Sequence, residues 1–263
     1  MTLGNAIAAE LRKLLTLPSA LLALALGALS TLGFAAMTAS SLRDRLDSGD
    51  SSALAYTTTM ETGFNLIPMG TIGTVVLGVV IISSEYAANR KDAGGGRQIL
   101  ASLTCVPRRG VLLAAKTIVL ILVSGVLGAV TIPATIALSQ FLLGAHGNSP
   151  SAVVAALGWR AVGGVVYWVL ISVIAFAVTV LTRSGIVPLI AFIANLTLVS
   201  VTFMLTKLTP LANYLPDVAG AGMVGVFHLT DGMLDPLPGG LVMTAWAAGL
   251  LAIAARVFAR RDG

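Results

Sequence analysis

Residues 83–116 read SSEYAANRKDAGGGRQILASLTCVPRRGVLLAAK, a basic, glycine-broken segment set between two long apolar runs. It carries Arg90, Lys91, Arg97, Arg108, Arg109 and Lys116, the densest group of cations in the chain. Upstream, Thr62 to Ser84 holds no charge, and the stretch from Thr117 onward is equally uncharged. A helix crosses a hydrocarbon core with about 20 apolar residues. Uncharged runs of that length also occupy Leu14 to Leu42, Ala161 to Thr182, Ser184 to Thr206 and Pro236 to Ala255. The pattern predicts an all-α polytopic membrane protein with six transmembrane helices, near 18–40, 62–84, 117–143, 160–182, 185–206 and 237–257. Too little chain remains for a separate soluble domain, so residues 1–263 read as one transmembrane unit.

Composition agrees: 57% of residues are hydrophobic and 10% charged, far below the roughly one quarter charged of a soluble domain. Orientation follows from where Lys and Arg fall relative to the helix ends. With the N-terminus inside, the inner set is Arg12, Lys13, Arg90, Lys91, Arg97, Arg108, Arg109, Lys116, Arg183, Arg256, Arg260 and Arg261, and the outer set is Arg43, Arg45, Arg160 and Lys207. The score of 12 to 4 predicts both termini inside, in a multi-pass chain of the cytoplasmic membrane. The +5 net charge thus reports topology and attraction to an anionic inner leaflet, not nucleic-acid binding. A signal peptide is the rival reading of the N-terminus, but its apolar run exceeds the usual length of about 7–15 residues. Cys105 stands alone, so no internal disulfide or paired-thiol motif can form.

Residues 2–17 read as an amphipathic interfacial helix, with Leu3, Ile7, Leu11, Leu14 and Leu15 on one face and Asn5, Arg12 and Lys13 elsewhere. Small residues recur every fourth position in the first span, at Ala23, Gly27, Thr31 and Ala35, which suits close packing inside the chain or between subunits. Pro68 is expected to kink the second span. Arg160 opens the fourth and is expected to snorkel toward outer headgroups. Leu208 to Leu237 is apolar but broken by proline and glycine, which predicts short re-entrant helices between spans five and six.

The chain offers no constellation for chemistry. It lacks a metal-binding HExxH, His146 and His228 stand alone in predicted outer loops, and no carboxylate is placed mid-span. Gly94, Gly95, Gly96 and Arg97 lack the Gly-Lys-Ser/Thr ending of a phosphate loop. The reading is therefore of a protein that is not an enzyme, with no metal site, no catalytic residue and no cofactor of its own.

In residues 85–116 the sequence resembles the membrane subunits of type-2 ABC exporters. There a Glu-Tyr pair ends the second helix, and an Arg, a Leu-rich turn, a Pro-Arg-Arg element and an Ala-Lys pair lead into the third. The matching positions are Glu85, Tyr86, Arg97, Leu100, Leu103, Pro107, Arg108, Arg109, Ala115 and Lys116. The resemblance extends to the surface helix, six spans and re-entrant outer region. It departs in the longer gap from Glu85 to Arg97, filled by Asn89 to Gly96. The resemblance implies a coupling helix near 97–106 docking on a separate ATPase through Arg97, Ile99, Leu100, Leu103, Pro107, Arg108 and Arg109. It further implies a second permease copy or a related permease, two ATPase subunits carrying ATP and magnesium, and a cavity lined from spans two and five. Asn65 and Met69, and Asn195 and Thr202, share helical faces there and are the candidate lining residues. The implied function is export of a hydrophobic or amphipathic substrate. An ATP-independent carrier and a non-transporting scaffold or sensor are the alternatives.

Overall fold

The computed structural model describes residues 2–54, 57–86, 99, 102, 104, 108–197, 201–225 and 232–260. Among these the chain is helical and contains no strand. In chain order the helices are α1 (Leu3–Thr16), α2 (Pro18–Asp47), α3 (Ile67–Tyr86), α4 (Arg109–Leu143), α5 (Pro150–Thr182), α6 (Ile186–Thr197), α7 (Val201–Thr206), α8 (Pro216–Val224) and α9 (Pro236–Arg260). Five are long and apolar enough to cross a membrane: α2, α3 with the turn before it, α4, α5 and α9. The sixth expected span, 185–206, is represented by the shorter α6 and α7.

Local sequence sets most boundaries. The Thr2 hydroxyl caps α1 by accepting from the Asn5 amide, and Leu17 turns extended because Pro18 follows. Pro18 and Pro150 then occupy first-turn positions, where a missing N–H costs nothing. Two expected boundaries move. α4 begins at Arg109 rather than 117, and α5 at Pro150 rather than 160, with the Ser149 hydroxyl capping the Ala152 amide at 3.3 Å. Pro68 is likewise relocated: as the second residue of α3 it lies in the first turn and interrupts no interior hydrogen bond, so it starts the helix instead of kinking it. Arg183 ends α5 in a left-handed conformation, φ 52°, and the chain turns straight into α6.

The core lies where α3 packs on α2 and α5. The small-residue stripe of the first span is buried within the chain, with Ala23, Gly27, Thr31 and Ala35 all covered. It meets the glycines of α3: a Cβ on Gly73 would stand 2.4 Å from the backbone of Gly27. Helices surrounded by lipid gain little from burying apolar surface, so backbone approach of this kind supplies dispersion contacts instead. Beside it, Trp168 of α5 is fully buried and donates its indole N–H to the Ile67 carbonyl at 3.0 Å. The short α8 is buried from Asp217 to Val224, wedged against α5 and α9.

α1 divides its surface differently from the expectation. Ala6, Glu10 and Leu14 face the bundle, Ile7 and Leu11 are half-buried, and Leu3 and Leu15 stay exposed. The inward face thus contains a carboxylate, for which the amphipathic pattern has no place.

Candidate functional site

That carboxylate belongs to a buried ionic cluster where three helices meet. α1 supplies Glu10 and Lys13 one turn apart, the last turn of α3 supplies Glu85, and α4 supplies Lys116 about two turns from its start. The Lys116 ammonium donates to Glu10 Oε2 at 2.6 Å, to Glu85 Oε1 at 2.7 Å and to the Ile81 carbonyl at 3.3 Å. Lys13 also donates to Glu85 Oε1, and the Ser102 hydroxyl reaches Glu85 Oε2 at 2.8 Å. Glu85 and Lys116 are 0% and 1% exposed, Glu10 9% and Lys13 24%.

Two carboxylates and two ammonium groups sum to zero, so the cluster adds no net charge to an apolar setting. Each ion desolvated here loses several kcal/mol of hydration, and only full pairing with good geometry offsets it. The three donors on Glu85 and the three acceptors around Lys116 meet that condition. The void beside the cluster, bounded by Glu10, Lys13, Leu14, Leu17, Ile81, Ser84 and Lys116, is about 10 Å³, room for one water at most. The arrangement therefore holds segments together and leaves no space for a ligand. Among the described residues no group of three His, Cys, Asp or Glu side chains is placed to hold a metal.

The residues expected at this end fare unequally. Glu85 and Lys116 are brought into direct contact, and Tyr86 is half-buried against the core. Ile99 is only 6% exposed and packs in the chain's own core. Arg109 points its guanidinium at the Phe258 carbonyl, 3.5 Å away in the last turn of α9, where the helix end carries partial negative charge. Arg108 is exposed at the start of α4. Arg97, Leu100, Leu103 and Pro107 lie outside the described residues. Glu10 and Lys13 were missed as members of the site. Their signal was an acid and a base three apart on one helix, whereas counting cations alone had treated Lys13 as a topology marker.

At the other end of the bundle a second polar site gathers around Arg160. Its Nη1 pairs with Glu61 Oε1 at 2.7 Å, while Nε and Nη2 donate to the carbonyls of Val224 and Gly225 at 3.0 and 2.8 Å. The guanidinium also lies 4.9 Å from the Phe64 ring centre. Arg160 is thus turned into the protein and does not snorkel. The free carbonyls ending α8, where Gly225 takes a left-handed φ of 63°, attract the cation more specifically than headgroups would. His146 is not alone either: its Nε2 is 2.8 Å from Asp47 Oδ1.

The proposed cavity residues are engaged with protein. Asn65 donates to the Thr57 hydroxyl at 3.1 Å, and Met69 is half-buried. Asn195 donates to Thr202 at 3.2 Å and to Asp217 Oδ2 at 2.8 Å, and Thr202 donates to the same oxygen. Asp217, in the stretch expected to form re-entrant helices, is 8% exposed, and among the described residues its Oδ1 has no hydrogen-bond partner. The buried carboxylate thus sits on a short helix folded back against the spans. The family models, curated proteins and solved structures compared with this chain contain no match to it.

Proposed function

We propose that this chain is the membrane-spanning permease subunit of an ABC exporter. On this reading α6 and α7 complete a sixth span, both termini face the cytoplasm, and the chain works beside a second permease in the cytoplasmic membrane. Two separate subunits bind and hydrolyse ATP with magnesium. The cargo is hydrophobic or amphipathic.

The observation that carries the reading is the bond from Ser102 to the Glu85–Lys116 pair. It ties Ser102 to the end of α3, the start of α4 and, through Glu10 and Lys13, to α1. A partner pressing there would move these elements as one block, and rocking of such a block against its neighbours is one way a transporter alternates access. The motif residues Glu85 and Lys116 gain a physical role in this scheme: they couple the docking segment to the spans. Leu100→Asp with Leu103→Asp tests docking by co-purification of a co-expressed ABC ATPase subunit. Association equal to wild type rejects the proposal.

A second reading draws on Asp217. Its buried Oδ1, without a hydrogen-bond partner among the described residues, lies beside Asn195 and Thr202 and suits an ATP-independent carrier coupled to an ion gradient, since a carboxylate buried among membrane helices is costly and commonly functional. Transport by the reconstituted chain alone, driven by an ion gradient and lost in Asp217→Asn, would favour this reading over the first.

A further inference from the structure

Asp217 stands in the first turn of α8, which is buried from that residue to Val224. Its Oδ2 accepts from Asn195 Nδ2 at 2.8 Å and from the Thr202 hydroxyl. Those two side chains also touch each other, with Asn195 Nδ2 donating to Thr202 Oγ1 at 3.2 Å and the Thr202 hydroxyl 3.3 Å from Asn195 Oδ1. Asn195 belongs to the last turn of α6 and Thr202 to the first of α7, so one carboxylate joins three helices. Its other oxygen has no partner among the described residues. Neither has Oδ1 of Asn213, which is buried in the short turn of helix leading into α8.

A buried carboxylate is costly unless a positive charge balances it. Around Lys116 each acid has an ammonium group. Among the described residues no Lys, Arg or His forms an ion pair with Asp217. Arg160 binds the opposite end of α8, at the Val224 and Gly225 carbonyls, and Val224 lies a rise of about 10 Å from Asp217. On α5 the side chain packed here is Tyr167, whose ring a Cβ on Gly220 would meet at 2.7 Å, and it brings no positive charge.

The oxygens present define what fits. One carboxylate among carboxamide and hydroxyl oxygens matches a single positive charge, whereas calcium and transition metals draw on several anionic or nitrogen ligands. No group of three His, Cys, Asp or Glu side chains stands ready for them among the described residues. Secondary transporters hold sodium at meetings of helix ends of this kind. We infer that Asp217 Oδ1 ligates a monovalent alkali cation, sodium or potassium, with Asn195, Thr202 and Asn213 supplying neutral oxygens. This site rests on the second reading, that of an ion-coupled carrier, and gives that carrier its ion.

The test is thermal melting of the purified full chain in detergent micelles, in sodium chloride, potassium chloride or choline chloride at one ionic strength. Sodium or potassium should raise the midpoint above that in choline, saturably, by about 5 °C near a hundredfold excess over its Kd. Asp217→Asn should abolish the rise. Thr202→Val, which keeps the side chain's shape, should move the titration about tenfold toward higher salt, and it decides the matter where Asp217→Asn does not fold. Asp235→Asn, at an exposed carboxylate, should keep the rise. Equal midpoints in all three salts overturn the inference, as does a rise that persists in Asp217→Asn. A midpoint that follows pH but neither metal ion places only a proton at Oδ1 and overturns it too. Transport driven by a proton gradient alone, with no salt effect on melting, sinks the site and leaves the carrier reading standing; a salt effect without transport does the reverse.

Discussion

Replacing Lys116 by Met retains the stem and removes the charge that joins Glu10, Glu85 and the Ile81 carbonyl. Taking one partner from a buried ion pair costs about 3–5 kcal/mol, mostly because the other charge stays buried without compensation. Here Glu85 keeps Lys13 and Ser102, and Glu10 lies at the cluster's edge, so the lower end applies. About 3 kcal/mol, or on the order of a hundredfold in the folding equilibrium, is the expected loss. Equilibrium unfolding in mixed micelles, followed by the fluorescence of the fully buried Trp168, measures it. Pairing Lys116→Met with Glu85→Gln should recover more than about 1 kcal/mol relative to the sum of the single variants, because residues in one network couple. A loss below about 1 kcal/mol for Lys116→Met, or strict additivity in the pair, would refute the idea that the cluster fastens these segments.

Gly73→Leu forces apart the backbones of α2 and α3; overpacking of this kind costs about 1–3 kcal/mol or more, read by the same unfolding assay, with Gly33→Leu, in open space, as the comparison. Arg160→Leu leaves Glu61 and the two carbonyls ending α8 without their donor. Hydrogen exchange should show α8 opening locally, by about 1–3 kcal/mol, with little change near Lys116. Trp168→Phe loses the bond to Ile67 and should cost about 1–2 kcal/mol by unfolding, near the penalty for an unsatisfied buried carbonyl.

The apolar runs made the long helices legible, because hydropathy alone decides what can cross a bilayer. Proline was less transparent. Pro68 and Pro150 both mark helix starts, and only the tertiary position of the preceding turn tells a start from a kink. The first span's small residues announced a close helix contact, yet the choice between a partner subunit and the chain's own α3 depended on Gly70 and Gly73, which the pattern in α2 alone could not reveal. Half of the ionic cluster was visible as the Glu85 and Lys116 motif. Glu10 was hidden because an acid on an amphipathic surface helix normally points to water, and only the approach of Lys116 from α4 turns it inward. Asp217 was obscured in the same way: its sequence neighbours are turn-forming, and its burial follows from α8 folding back onto α5 and α9.

The inward-facing charges of α1 also bear on how the N-terminal helix responds to its surroundings. A helix resting on anionic lipid by charge alone can be washed off, since ions in solution weaken exposed attractions over distances near 10 Å at about 0.1 M. This one is held from beneath by the Glu10 and Lys13 contacts, which the counterions of a buffer reach poorly. Brine should leave it in place, and a change of headgroup charge in the adjoining leaflet should scarcely shift it. Its attachment is governed by the protein's own interior, and remodelling the lipid bath will not release it.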